Sequence, residues 1–163
     1  MAEVDYFLKI EGVQGESKDS GGHKDEMQID KWGWNIKQPR DAASGKGTGR
    51  ATAGDLQLTM KTNTATPVIL NALAQNQEFT TAKLVCRKAG GSQQNPLEFF
   101  TITLRKARVS TYEVGGGQGS IVPVDQFSLN FTKIEIEFVP QKAQGLGGSR
   151  TMFGWSPADP NSG

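Results

Sequence analysis

The segment Phe127-Ser-Leu-Asn-Phe-Thr-Lys-Ile-Glu-Ile-Glu-Phe-Val-Pro-Gln141 decides the fold of this chain. Apolar side chains occupy every second position in two triplets, Phe127, Leu129 and Phe131, then Ile134, Ile136 and Phe138. A period of two is typical of a half-buried β-strand, because successive side chains point to opposite faces of the sheet. The phase changes at Thr132-Lys133, which indicates a β-bulge or a strand that passes from one partner to another. We expect one long, bent strand of about 12 residues, which suits a closed or nearly closed barrel.

The length and composition favour one domain that is rich in loops. At 163 residues the chain has the usual size of a single domain, which we place at residues 1–163 with a glycine-rich tail over roughly 142–163. Its 20 glycines cluster between the patterned segments, as expected for an all-β chain with many loops. A formal net charge of +1 disfavours a nucleic-acid-binding protein, whose domain is usually strongly basic.

Cysteine usage and the N-terminus bear on localisation. The single cysteine, Cys86, cannot form an internal disulfide, which favours folding in a reduced, cytosolic environment. The charged start Met1–Tyr6 lacks the apolar run of a signal peptide, and no apolar segment approaches the length of a membrane span. We therefore expect no membrane insertion, and any export must proceed without a cleavable signal.

Alternating apolar residues predict further strands along the chain. These are Val4–Ile10, Asp25–Ile36, Asp55–Lys61, Thr81–Arg87 and Pro96–Arg105, the last continuing through Ala107–Val114. The phase of the second strand changes between Ile29 and Trp32, which predicts a bulge near Asp30-Lys31. Beyond that bulge, Trp32, Trp34 and Ile36 are expected to face the core.

One helix is predicted, at Thr66–Gln75. Thr66 suits the N-cap and Pro67 the first helical position. The apolar face is expected to consist of Ile69, Leu70, Leu73 and Ala74. The predicted fold class is therefore mainly β, an antiparallel β-barrel of two packed sheets with one short α-helix at its side.

The chain offers little material for chemistry. His23 is the only histidine and lies in a polar loop, where we expect it to face solvent. A histidine metal site or a Ser-His-Asp relay therefore has almost nothing to build on. The carboxylate pairs Asp25-Glu26 and Glu135/Glu137 resemble those of glycosidases, but the second pair also suits a solvated or interface face of a strand. We expect no catalytic residue, no metal and no cofactor.

Several short motifs follow one another in a specific order. They are Gly15-Glu16-Ser17-Lys18-Asp19, Trp32-Gly33-Trp34, Leu84-Val-Cys-Arg-Lys88-Ala89-Gly90-Gly91, Phe99–Arg105, Ser128–Phe131, Val139–Ala143 and Gly154-Trp155. Each motif alone is weak, whereas their ordered combination from about Tyr6 to Trp155 is specific. The chain thereby resembles the haemolysin-coregulated protein (Hcp) family, the tube proteins of the bacterial type VI secretion system.

The resemblance implies a function in assembly and transport. Members of that family are small β-barrels that close into homohexameric rings, and the rings stack into a tube inside a contractile sheath with a spike protein at the tip. The tube is expelled from the bacterial cytoplasm into a target cell, and small effector proteins ride in the lumen. The resemblance thus implies a structural protein that is not an enzyme and is secreted through the type VI apparatus.

Two sets of residues become candidates for these contacts. The long polar loops Glu11–Gly22 and Pro39–Gly54 are ordinary surface loops by composition, but the resemblance makes the second the first choice for ring-to-ring contact. Its candidate residues are Ala43, Ser44, Gly45, Lys46, Gly47, Thr48 and Gly49. Candidates for the lumen are Asp30, Lys31 and Gly33, with a solvated outer face as the alternative. A small hydroxyl residue is common in the family where this chain has Gly33, which weakens the case for a hydrogen bond from this position to cargo.

Two other classes of function stay open at this point. A ligand-binding or lectin-like β-barrel is the alternative, because barrels of this size can hold a small molecule. An enzyme is the third class, and it would depend on Glu135 or Glu137. The mass of the particle in solution separates a ring from a monomeric ligand barrel.

Overall fold

The computed structural model describes residues 4–19, 22–40, 42–46, 50–88, 97–140 and 149–157. In these ranges the chain forms eleven strands and one helix. The strands are β1 (Val4–Ile10), β2 (Met27–Ile29), β3 (Lys31–Gly33), β4 (Ile36–Lys37), β5 (Thr52–Ala53), β6 (Leu56–Lys61), β7 (Glu78–Lys88), β8 (Leu97–Gly115), β9 (Val124–Asn130), β10 (Lys133–Phe138) and β11 (Thr151–Trp155). The helix α1 spans Ala65–Ala74. No helix in the described ranges has the length and apolar content to cross a membrane.

The main sheet is antiparallel and its two ends meet in one bent strand. Hydrogen-bonded neighbours follow the order β2-β1-β7-β8-β9-β6-β3, with β10 between β8 and β11. Asp30 alone separates β2 from β3, and its backbone N–H donates to the Thr59 carbonyl at 2.8 Å. The bend moves the strand from partner β1 to partner β6, which explains the phase change predicted near Asp30-Lys31. The predicted antiparallel barrel with one helix is confirmed.

The stretch that decides the fold forms two strands, so the prediction of one continuous strand is wrong. β9 lies between β8 and β6, whereas β10 lies between β8 and β11. At Phe131-Thr132 the partner on one side therefore changes from β6 to β11, while β8 remains the partner on the other side. The phase change thus marks a change of partner, as the second of the two interpretations holds. β8 bends opposite this point, because Lys106 has a φ of 50° and the Thr132 N–H donates to the Arg105 carbonyl at 3.0 Å. The long, bent strand of the fold is β8 itself.

Apolar side chains fill the interior of the barrel. Leu8, Leu84, Leu104, Leu129 and Ile134 have no exposed surface, and Ile69 of α1 packs into the same cluster. The barrel interior is therefore a packed core, as expected when small barrels are filled by their own side chains.

The helix begins one residue earlier than predicted and buries a different face. Thr66 is not its N-cap, because the Thr66 hydroxyl points inward and donates to Asp125 Oδ2 at 2.5 Å. The buried residues are Ala65, Thr66, Ile69 and Ala72. Leu70 and Ala74, which were predicted to be buried, are exposed, and Leu73 is half-buried. The bond to Asp125 sets the rotation of the helix, and the apolar pattern alone did not reveal it.

Two further expectations are corrected at the ends of the barrel. Ile36 was predicted to face the core, but it lies in the separate two-stranded sheet β4–β5 and is 38% exposed. The segment predicted as a glycine-rich tail contains β11, which pairs with β10 and buries Trp155 in the core cluster. Short strands with exposed apolar residues carry too weak an alternation to be recognised.

Cys86 is buried in β7, and its reactivity tests this packing. Burial raises the pKa of the Cys86 thiol to about 12, well above the ordinary value of a cysteine. At pH 8 we expect iodoacetamide to alkylate the folded protein about a thousandfold more slowly than the urea-unfolded chain, since only the thiolate reacts. The neutral thiol stabilises the fold below pH 9, and this contribution is lost as the pH rises towards 12. Equal alkylation rates for the folded and unfolded chains would place Cys86 at the surface.

Candidate assembly and lumen surfaces

Four strands present a continuous polar face on the side opposite the core. Cross-strand register places two rows of side chains across β3, β6, β9 and the second half of β8. The first row is Gly33, Gln57, Ser128 and Thr111, and the second is Lys31, Thr59, Gln126 and Glu113. We call these eight residues the polar wall. Between the rows, Leu58 and Phe127 point into the core and are 2% exposed.

Hydroxyl and carboxylate groups connect one end of this face. Ser128 Oγ lies 2.5 Å from Thr111 Oγ1 and 2.6 Å from Ser110 Oγ. The Ser110 hydroxyl donates to Asp55 Oδ2 at 2.6 Å, and the Asn130 amide donates to Asp55 Oδ1 at 2.9 Å. These bonds hold side chains of β8 and β9, and that of Asp55 just before β6, in fixed positions.

The structure places two of the three lumen candidates together. Lys31 and Gly33 both belong to the polar wall, and a side chain at Gly33 would meet no other atom within 4 Å. Asp30 lies at the bend between β2 and β3, where it lines a separate cavity of about 300 Å³ with Glu16 and Lys61.

The four-stranded sheet has an unpaired edge on each side. β7 begins at Glu78, opposite Arg108, so within the described residues β8 from Val109 to Gly115 has a strand partner only in β9. At the other side, the described strands give β3 only β6 as a partner. Val114 is 47% exposed in the projecting part of β8. Unpaired strand edges are templates for pairing with another chain.

A half-buried tryptophan next to β3 packs against a partly exposed phenylalanine side chain. Trp34 directly follows β3, and its ring centroid is 6.5 Å from that of Phe153 in β11. Phe153 and Phe138 are 43% and 44% exposed. We call Trp34, Phe138 and Phe153 the aromatic patch. Partly exposed aromatic clusters of this kind mark interaction surfaces more often than ordinary surface.

The motif Gly15–Asp19 belongs to a loop that folds over the outer face of the barrel. Its two arms pair with each other, because the Gly15 N–H donates to the Asp25 carbonyl at 2.7 Å and the Ser17 N–H donates to the Glu26 carbonyl at 3.0 Å. A Cβ atom at Gly15 would lie 2.6 Å from the Glu26 carbonyl oxygen, which explains the glycine. Glu16 accepts a hydrogen bond from the Thr64 hydroxyl at the start of α1.

Charged residues fix this loop to the strands beneath it. Asp19 accepts two hydrogen bonds from the Arg87 guanidinium, both at 2.8 Å, in a bidentate pair. The bond to Asp19 raises the pKa of Arg87 above its usual value, so the guanidinium stays charged although it is 8% exposed. Arg87 also lies over the Phe7 ring, 4.8 Å from its centroid. Phe7 and Val85, each 3% exposed, form a small apolar layer outside the barrel under this loop.

His23 lies in the same layer, so the prediction that it faces solvent is wrong. It is 6% exposed, and its ring stacks on Phe7 with centroids 4.5 Å apart. Nδ1 lies 3.0 Å from Glu26 Oε1, and Nε2 lies 2.6 Å from Glu98 Oε1 in β8. Glu98 is 75 residues away in the chain, so no local pattern pointed to it.

The remaining predicted positions are spread over the molecule. Ala43, Ser44, Gly45 and Lys46 are exposed in the arm that follows β4, whereas Gly47, Thr48 and Gly49 lie outside the described residues. Lys18 is exposed, and the Lys88 ammonium lies 4.9 Å from the Phe99 ring centroid. Ala89, Gly90 and Gly91 also lie outside the described residues. Gly154 pairs with Glu135 across β11 and β10.

The carboxylates considered as catalytic candidates are engaged in ion pairs. Glu135 accepts from Arg105 Nε at 3.2 Å, and Glu137 lies 3.2 Å from Arg150 Nε. Both pairs lie on the outer face of β10. This arrangement fits the solvated or interface face that the alternation predicted for them.

A residue that the sequence analysis missed joins α1 to the barrel. Asp125 has no exposed surface and accepts hydrogen bonds from the hydroxyls of Thr62 (2.6 Å), Thr66 (2.5 Å) and Tyr112 (2.5 Å). Burial, and then the bond to Asp125, raise the pKa of Tyr112, so its hydroxyl remains a donor at physiological pH. No local pattern pointed to this site, because its members come from β8, β9, α1 and the connection between β6 and α1.

Comparison with known proteins identifies the family. Residues 7–138 match the family model described as "Type VI secretion system effector, Hcp". The protein hcp1 of Pseudomonas aeruginosa strain PAO1 is 35% identical over 156 residues, which cover 94% of each chain. The crystal structure of Hcp1 from Salmonella typhimurium superposes with a TM-score of 0.76 at 29% identity, covering 96% of this chain and 95% of that one. The structure of another type six secretion system protein gives a TM-score of 0.86 at 26% identity, covering 96% and 97%. This chain therefore belongs to the Hcp family, the tube and effector proteins of the type VI secretion system.

Proposed function

We propose that this chain closes into six-membered rings through the two unpaired edges of its four-stranded sheet, and that the rings stack into a tube that carries small effector proteins. The observation that carries the proposal is the position of these edges, one on each side of the same polar-faced sheet. A ring needs two different surfaces on one subunit that fit each other with a rotation that closes. The β8 edge and the β3 edge provide such a pair.

The side chains at the two edges support this pairing. Val114 is 47% exposed in the part of β8 that has only β9 as a strand partner among the described residues, and Trp34 of the aromatic patch directly follows β3. Joining the edges of neighbouring copies buries these apolar side chains together and pairs the free backbone groups. A net charge of +1 keeps the repulsion between identical subunits small.

The same geometry supports the polar wall as the lining of the lumen. When the edges of a twisted sheet are joined around a ring, one face of each sheet turns towards the axis. The face opposite the barrel core is polar and carries Lys31 and Gly33 on β3. The barrel interior itself is filled by leucine and isoleucine side chains, which favours transport in a shared lumen over a ligand site inside one subunit.

Replacing Gly33 by arginine tests whether β3 lines the lumen. The side chain has open space within the subunit, so the ring should keep its mass while six guanidinium groups enter the lumen. We expect the amount of small effector protein that co-purifies with rings, measured by quantitative mass spectrometry in the producing strain, to fall several-fold. Gly117→Arg, at another glycine with open space, is the matched control and should retain cargo. Equal retention in both variants would remove β3 from the lumen.

Deleting Ala43–Gly49 tests the proposed contact between rings. The arm leaves the barrel through β4 and β5, which form a separate two-stranded sheet, so its loss should not disturb the core. We expect single rings of unchanged mass and no stacked tubes in negative-stain images. Tubes of normal length from the deletion variant would show that other residues join the rings.

The remaining partners follow from the same proposal. A stacked tube of this kind works inside a contractile sheath and beneath a spike protein, and leaves the cell through the type VI apparatus. Export of the protein into culture medium, lost when the sheath is removed, is the cellular measurement that supports these contacts.

A further inference from the structure

His23 joins the outer loop to the barrel through two carboxylates. His23 and Glu26 belong to the loop, whereas Glu98 belongs to β8. Nδ1 lies within 3.1 Å of both Glu26 oxygens, and Nε2 lies 2.6 Å from Glu98 Oε1. The bond between His23 and Glu98 is thus a direct link between the loop and the strand. We call His23, Glu26 and Glu98 the clasp.

The proton count of the clasp depends on pH. An ionised carboxylate only accepts hydrogen bonds, and a neutral imidazole has one donor nitrogen and one acceptor nitrogen. Two carboxylates on the two ring nitrogens therefore require that the imidazole carry both protons. Histidine is the side chain that changes its charge between about pH 5 and pH 8. We propose that the clasp is a pH-sensitive latch between the loop and β8, which opens as the pH rises while the Arg87–Asp19 pair still holds the loop on the barrel.

The charged groups nearest to His23 are four carboxylates and one guanidinium. Glu26 and Glu98 contact the imidazole directly, and Asp5 and Asp19 lie in the same cluster. The guanidinium is that of Arg87, which lies over the same Phe7 ring. Asp19 accepts two hydrogen bonds from Arg87, and Asp5 accepts a third at 3.3 Å. These two carboxylates compensate most of the positive charge of Arg87. Lys24 and Asp25 are neighbours of His23 in the chain and are exposed.

The contact with Glu98 is the one that opens. Loss of one proton leaves a lone pair of the buried imidazole facing a carboxylate oxygen, which is unfavourable. The Glu98 side chain is 46% exposed and can turn to solvent, whereas that of Glu26 is 12% exposed and cannot. The remaining proton therefore stays on Nδ1, and the link between the loop and β8 is lost. The loop is therefore linked to β8 when the imidazole carries both protons and loses this link when it carries one.

The protonation state of the His23 imidazole is measured directly, because the chain has one histidine. In full-length protein labelled with [15N]histidine, magic-angle-spinning NMR works on assembled hexamers as well as on single subunits. At pH 6 the proposal predicts two protonated ring nitrogens with similar shifts. At pH 8.5 it predicts one protonated and one unprotonated nitrogen, with the proton on Nδ1. A neutral ring at pH 6, or a doubly protonated ring at both pH values, would overturn the proposal.

Hydrogen exchange tests whether the proton controls the loop. Between pH 6 and pH 8.5 we expect the protection factors of the peptide covering Gly12–Met27 to fall about tenfold in the wild type. In Glu98→Gln the amide N–H can donate to a neutral Nε2, so the fall should be absent. Glu135→Gln removes a carboxylate remote from His23 and should behave as the wild type. An equal fall in wild type and Glu98→Gln, or no fall in the wild type, would contradict the latch.

Discussion

Replacing Asp125 by alanine is expected to lower the free energy of unfolding by about 3 kcal/mol, because several charge-assisted hydrogen bonds are lost together. The carboxylate has no exposed surface and is the shared acceptor for the hydroxyls of Thr62, Thr66 and Tyr112. Without it, three donors remain in a closed site, and α1 loses its attachment to β9. The melting temperature at fixed protein concentration should fall by roughly 6–12 °C for a chain of this size.

Two further variants sharpen this prediction. Asp125→Asn keeps the shape and one acceptor oxygen, so its loss should be smaller than that of Asp125→Ala. Glu78→Ala removes an exposed carboxylate that pairs with Arg108 at 3.4 Å, and it should change stability by less than about 1 kcal/mol. A melting temperature for Asp125→Ala within a degree of that for Glu78→Ala would show that Asp125 does not hold the helix.

Replacing Val114 by arginine is expected to convert rings into subunits. Val114 is 47% exposed in the part of β8 that has no strand partner on one side among the described residues. A guanidinium at this position has to be buried against the aromatic patch of the next copy, and desolvating an unpaired charge is unfavourable. In light-scattering measurements the particle mass should fall from about six times 17.6 kDa to that of one subunit.

Val122→Arg is the matched control for this variant. Val122 is 38% exposed in the loop between β8 and β9 and belongs to neither of the strands with an unpaired edge. It should keep the mass of the ring. If Val114→Arg also keeps that mass, neighbouring copies do not meet at the β8 edge. A loss of the ring in both variants would place the interface at the end of the barrel instead.

The sequence predicted those parts of the fold that depend on local alternation. β1 was predicted at its observed bounds, and β6 and β8 within one residue at their ends. The phase changes at Asp30 and at Thr132 correctly marked the points where the chain changes partner. Alternation carries this information because a strand must keep its apolar side chains on one face while its partners change.

The features that could not be predicted from the sequence depend on polar contacts between residues far apart in the chain. The rotation of α1 depends on Thr66 and Asp125, which are 59 residues apart. The burial of His23 depends on Glu98, 75 residues away. Neither position stands out in a local pattern, because a polar residue in a loop has the same appearance whether it faces water or a buried carboxylate. The polar wall was found in part, through Lys31 and Gly33, since alternation identifies the face opposite the core but not the strands that share it.

The solution mass of the purified full chain, measured by light scattering together with negative-stain imaging, tests the central claim most directly. The joined edges of β3 and β8 predict annular particles with a mass near six times 17.6 kDa over a wide range of concentrations. A single subunit at high concentration, with no annular particles in the images, would contradict the proposal that this barrel is built to assemble with copies of itself.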